Sequence, residues 1–253
     1  MKIWAIADLH LSFGVPNKKM DVFGPRWENH AKKIEEHWRD LISEEDLVLI
    51  AGDISWALHL EDALVDLKWI ANLPGTKVMS KGNHDLWWKS MSKVKPILPP
   101  RIHLIYNNAF TYQGVSIGGT RLWDHLDNDF SSYIEFQKIP DGVHVHEKTH
   151  TKEDNLHDEK IYKSEIERLK LSLNCLDPTA HTRIAMIHYP PTGSIQKKTA
   201  VTTLLETYKI QTCVYGHLHN LKENAPVNFN YNGISYICTS CDFLKFKPVE
   251  LTF

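Results

Sequence analysis

Apolar residues in this chain fall into short continuous runs, and several of those runs stop on polar residues of one kind. "KIWAIADLH" ends in Asp8 and His10, "DLVLIAGDIS" in Gly52 and Asp53, and "TKVMSKGNHD" in Asn83, His84 and Asp85. Further on, "TRIAMIHYPP" ends in His188 and "TCVYGHLH" in His217 and His219. Runs this continuous predict strands buried on both faces, since a half-exposed strand would alternate apolar with polar residues.

Between the runs the spacing becomes helical. "WENHAKKIEEHWRDLI" places Trp27, Ile34, Trp38 and Leu41 on one face, with Glu35 and Arg39 spaced to pair at i,i+4. "LEDALVDLKWIANLPG" groups Leu60, Leu64, Leu67 and Ile70 or Ala71, and "TTLLETYKI" is a shorter helix. Strand alternating with helix predicts an α/β protein with much parallel pairing. "VSIGGTRLW" and "PVELTF" read as additional strands, and "VNFNYNGISYIC" as a hairpin turning at Asn232 and Gly233. An antiparallel portion therefore joins the parallel one, and two packed sheets are expected.

No linker or repeat divides the chain, so 1–253 reads as a single domain. One stretch lacks periodicity, from Asp124 to about Asn155, and a helix to about Leu176 follows with Tyr162, Ile166, Leu169 and Leu173 on one face. A loop of that length inside a domain is usually functional, and 124–176 is expected to form a lid or rim.

The formal net charge of −2 announces no broad basic surface for nucleic acid or anionic lipid. No apolar run approaches the roughly 20 residues that span a bilayer, and the N-terminus is too polar for a signal peptide. Four cysteines make no disulfide framework, so a cytoplasmic setting with free thiols is expected. Cys238 and Cys241 have the spacing of half a zinc site, with no second pair to complete it. His144, His146, His150 and His157 read as a solvated loop. Oligomeric state leaves no signature.

In an α/β sheet, ligands bind beyond the carboxyl ends of the strands, so the polar clusters should converge. The donors are Asp8, His10, Asp53, Asn83, His188, His217 and His219. Imidazole nitrogen mixed with carboxylate and amide oxygen suits borderline divalent ions such as Mn, Fe, Zn or Ni. The set is too large for one ion, and a shared carboxylate would let it hold two. Gly82 lets the backbone approach the site closely, and Trp87 and Trp88 are expected to begin a helix that anchors the loop. Tyr189, Pro190 and Pro191 would shape the His188 loop. Arg121, Trp123 and His59 are candidate substrate contacts.

"DLH", "GD", "GNHD", a lone histidine after a strand and "GHLH" stand in the order found in the calcineurin-like metallophosphoesterase superfamily, which this chain resembles from Asp8 to His219. The resemblance implies a four-layer αββα sandwich with two mixed β-sheets and a dinuclear metal centre between them. It implies one ion on Asp8, His10 and His219, a second on Asn83, His188 and His217, and Asp53 bridging both, with Mn favoured. The implied activity is hydrolysis of a small-molecule phosphate monoester or diester by a hydroxide between two cations about 3.5–4 Å apart. His84 would then assist the leaving group, and Asp85 would orient His84 and favour its imidazolium form. The alternatives are a nuclease acting on DNA or RNA and a catalytically silent scaffold of the same fold. Near-neutral charge argues against the first, and the complete donor set against the second.

Overall fold

Within each buried strand the side chains alternate between two different cores. The computed structural model describes residues 1–126, 128–135 and 152–253. In β1 (Ile3–Ile6), Trp4 and Ile6 enter one apolar cluster, while Ile3 and Ala5 enter another. In β2 (Leu47–Ala51), Val48 and Ile50 divide from Leu47, Leu49 and Ala51 in the same way. This period-2 division of wholly apolar runs is what a sheet covered on both faces requires.

The first cluster joins β1, β2 and β3 (Thr76–Ser80) to α1 (His30–Leu41) and α2 (Leu60–Ala71), through Ile34, Trp38, Leu67 and Ile70. The second lies between two sheets, where Leu49 and Val78 meet Ile117, Ile184, Met186 and Val214. After the short α3 (Met91–Val94) come β4 (Ile102–Leu104), β5 (Ala109–Tyr112) and β6 (Val115–Thr120). Next are α4 (Lys152–Asn174), β7 (Thr182–Ile187), α5 (Ala200–Thr207) and β8 (Thr212–Tyr215). The chain closes with β9 (Phe229–Tyr231), β10 (Ile234–Cys238) and β11 (Val249–Glu250). A third cluster packs Leu169 and Leu173 of α4 and Val201 and Leu205 of α5 on the outer face of the second sheet. The result is the expected four layers, helices–sheet–sheet–helices.

Both sheets are mixed. The first has the order β11-β1-β2-β3-β4, parallel except where β11 meets β1. The second has the order β5-β6-β7-β8-β10-β9, parallel through its centre and antiparallel at both edges. The β9–β10 hairpin turns at Asn232 and Gly233, both at positive φ (49° and 79°), as its sequence predicts.

Lys77 is a buried polar residue in β3. Its ammonium donates to the carbonyls of Leu73 and of Ala71, the latter at 3.4 Å, and so satisfies acceptors left open at the end of α2. Burial holds its pKa down at about 8.

Of the insert expected at 124–176, residues 127 and 136–151 lie outside the described residues, His144, His146 and His150 among them. The helix after them is present as α4, with Tyr162, Leu169 and Leu173 buried. All four cysteines are free, and Cys238 and Cys241 are wholly buried. No helix among the described residues is long and apolar enough to cross a membrane.

Candidate metal centre

Every donor named from sequence lies just beyond a strand, and the two sheets bring them together. The β1, β2 and β3 loops supply Asp8, His10, Asp53 and Asn83, and the β7 and β8 loops supply His188, His217 and His219. Asp8, His10 and His219 offer ligand atoms all within 4.8 Å of one another, and so do Asp8, Asp53 and His188. Asn83 Oδ1 lies 2.8 Å from His188 Nε2 and 3.0 Å from His217 Nδ1. Asp53 Oδ2 lies 3.8 Å from His10 Nε2 and 3.4 Å from His188 Nε2, so a single carboxylate oxygen faces both groups.

The backbone is bent to achieve this. Asp8, His10, Asp53 and His217 have positive φ (59°, 45°, 51° and 74°), an arrangement uncommon outside glycine that costs energy and clusters at functional sites. Neighbouring glycines make room. A methyl at Gly82 would collide with Asp53 Oδ1, and one at Gly216 would sit 2.7 Å from Asp8 Oδ2. The loops also clamp the carboxylates, with His217 N donating to Asp8 Oδ2 (2.9 Å) and His84 N to Asp53 Oδ1 (2.7 Å).

Asp8, Asp53, His10 and His188 are almost completely buried, which is costly for two carboxylates without cations. Among the described residues, no Lys or Arg forms an ion pair with either; their partners are His10, His188 and His219. Burial raises Asp8 to about 6. Asp53 is held far below the usual carboxylate range, because the surrounding imidazoles outweigh its burial. Burial opposes a proton on His188 and on His219, yet Asp53 raises the first to about 9, and Asp242 with Asp8 raises the second to about 9. His10 and His217 fall well below the ordinary histidine value, burial being the main cause. Two buried carboxylates that demand positive charge, ringed by nitrogen donors, fit divalent cations of the borderline class.

Asp242 is a residue that the sequence reading missed. Its Oδ1 accepts from His219 Nδ1 (2.9 Å) and its Oδ2 from Asn220 N (2.9 Å), which leaves His219 Nε2 directed toward Asp8 and His10. On the second side, His188 Nδ1 is bound to the Ala51 carbonyl at 2.9 Å, which leaves Nε2 for the centre. Such partners fix the tautomer and aim of a ligating histidine.

Asp85 departs from its expected role. Oδ2 accepts from Gly82 N (2.8 Å), and Oδ1 from Ile54 N (2.9 Å), Ser55 N (3.2 Å) and Trp87 Nε1 (3.0 Å). The buried carboxylate therefore ties the β2 and β3 loops together and makes no bond to His84. Nor is the imidazolium favoured: burial lowers the pKa of His84, and the carboxylate that opposes this is Asp53. Trp87 and Trp88 begin no helix either. They are buried in a turn, with the Trp88 carbonyl accepting from Lys81 Nζ at 2.7 Å.

The candidate substrate contacts are dispersed. His59 is exposed at the N-cap of α2. The Arg121 guanidinium meets Glu165 at 3.3 Å and covers the Trp123 ring at 4.5 Å, while its carbonyl accepts from His188 N and Tyr189 N. Trp123 lies against Tyr189, whose ring is 4.0 Å from that of His217.

The family model for calcineurin-like phosphoesterases matches residues 1–221. The gene 66 protein of Mycobacterium phage D29 is 30% identical over 116 residues, which are 45% of this chain and 53% of that protein. The chain thus spans about half the length of that curated relative. Among solved structures, the protein of unknown function AQ665 from Aquifex aeolicus is 16% identical with a TM-score of 0.44, over 98% of this chain and 95% of that one. The calcineurin-like phosphoesterase YfkN from Bacillus subtilis is 15% identical with a TM-score of 0.44, over 100% and 85%. With most of its length matched by the family model, the chain belongs to the calcineurin-like phosphoesterases, a family of metal-dependent hydrolases of phosphate esters.

Proposed function

We propose that this chain hydrolyses a phosphate monoester or diester of a small molecule with two divalent cations, Mn favoured. Asp8, His10 and His219 would hold one, Asn83, His188 and His217 the other, and Asp53 would be shared. The observation that carries this reading is Asp53 Oδ2, which faces His10 on one side and His188 on the other. Bound there, such cations supply positive charge to phosphoryl oxygens and acidity to coordinated water.

The chain's own groups do the rest. Asp242 and the Ala51 carbonyl hold the His219 and His188 rings in one tautomer. Asp85 fixes the Gly82–His84 turn through Gly82 N, and the His84 backbone is pinned to Asp53. His84 is partly exposed beside the donors and is the side chain assigned to the leaving oxygen. Burial lowers its pKa, which makes the imidazolium a stronger acid toward a departing alkoxide and also a less populated one.

Mn-loaded protein should cleave aryl phosphate or bis-aryl phosphate, and the faster of the two assigns the ester class. Asp53→Asn should lose metal and activity together. Full metal content with full activity in that variant would refute the shared-carboxylate reading.

A further inference from the structure

Two rows of aromatic side chains flank the donor cluster, and one of them ends in an exposed ring. On the His217 side, Tyr189 and Trp123 continue from the imidazole, but this row is closed. Arg121 covers the Trp123 ring, and Trp123 Nε1 donates to Asp158 at 2.9 Å. On the other side, Trp56 is stacked on His10 (centroids 4.9 Å apart, 22° between planes) and lies 4.4 Å from the His84 ring. Phe23 runs parallel to Trp56 within 8°, with centroids 6.4 Å apart.

This second row is fixed at its base and open at its end. Trp56 Nε1 is 2.9 Å from Met20 Sδ, and its carbonyl accepts from Lys18 Nζ at 3.2 Å. Phe23 is 46% exposed. Single exposed apolar residues are ordinary, but this ring is aligned with an indole that itself touches two site histidines. Aromatic faces so placed bind flat ligands, because stacking is sequence-tolerant and needs only another π-face.

We propose that the leaving group of the substrate carries a planar ring, a nucleobase or an aryl group, that stacks on the wall formed by Trp56 and Phe23. The proposal rests on the hydrolytic reading above, which sets His84 beside the leaving oxygen; the 4.4 Å contact with Trp56 then places the wall where that group departs. It also moves ring recognition from Trp123, whose ring Arg121 covers, to the row on the opposite flank that ends in the exposed Phe23.

The test compares metal-loaded wild type, Phe23→Ala and Phe23→Tyr on benzyl and ethyl phosphate, as monoesters or as their methyl diesters. Phe23→Ala should raise the ratio of KM for the benzyl ester to KM for the ethyl ester about tenfold with little change in the kcat ratio, and Phe23→Tyr should restore it. Cyclohexylmethyl phosphate should show no such rise, since it is apolar without a π-face. A nucleoside 5′-monophosphate run alongside tells whether the favoured ring is a base or an aryl group. If Phe23→Ala leaves the benzyl-to-ethyl ratio unchanged in an active enzyme, the ring wall is wrong while the hydrolytic reading stands. If loaded wild type cleaves none of these esters, the hydrolytic reading and the wall fall together.

Discussion

Asp242 Oδ1 accepts a hydrogen bond from His219 Nδ1 at 2.9 Å, although the two residues belong to different loops. Asp242 is 2% exposed, and among the described residues the one Lys or Arg paired with it is Arg26 at 4.0 Å, so its carboxylate is committed to His219 and Asn220. Asp242→Ala should therefore weaken metal binding about 10–100-fold, the usual cost of removing the partner of a ligating histidine. Calorimetric titration of Mn measures it. Unchanged affinity would show that packing alone aims the ring.

Gly82→Ala offers a sharper probe. The added methyl would meet Asp53 Oδ1 and Asp53 N, neither of which can retreat without disturbing the donor group. The expected outcome is loss of bound metal by elemental analysis, with a folded far-ultraviolet spectrum retained. Full metal occupancy would mean that the loops yield more than their contacts suggest.

His84→Ala should spare metal binding, since none of the close donor contacts described above uses its ring. Turnover should fall about 10²–10⁴-fold on alkyl esters, which need a proton on the leaving oxygen, and much less on activated aryl esters. Equal losses on both would assign His84 to charge stabilisation instead.

Lys77 gives a pH signature independent of the site. Its folded pKa lies near 8, while the unfolded chain returns it to 10.5. Between those values the unfolded state binds more protons, so stability contributed by this residue rises with pH across the window. Below pH 8 both states carry the charge, and its burial penalty is felt in full. The stability difference between wild type and Lys77→Met, from urea midpoints at pH 8 and 10, should shift toward wild type at the higher pH. A constant difference would mean that the ammonium is not perturbed.

The layers and the convergence of the seven candidate side chains are readable because one physical demand wrote both. A strand covered on two faces must be continuously apolar, as "VLIA" in β2 is, so its end is marked wherever polar residues resume. Asp85 is harder, because adjacency to His84 suggests a pair, whereas Gly82 N in the β3 loop and Ile54 N and Ser55 N in the β2 loop all take the carboxylate as their acceptor. Trp87 and Trp88 depart from the expected helix start for a related reason: Trp87 Nε1 donates to Asp85 and Lys81 Nζ to the Trp88 carbonyl, which holds them in a turn. Asp242 was missed because β10 reads as half of a hairpin. Only its parallel pairing with β8 reveals that its far end also opens onto the centre.

The donors are split between the sheets, with Asp8, His10, Asp53 and Asn83 following strands of one and His188, His217 and His219 following strands of the other. A cation gripped by both sets would act as a rivet through the seam of the molecule. Removing it would then slacken the fit of one half against the other as well as silence the chemistry, and resistance to heat and catalytic competence would rise and fall together.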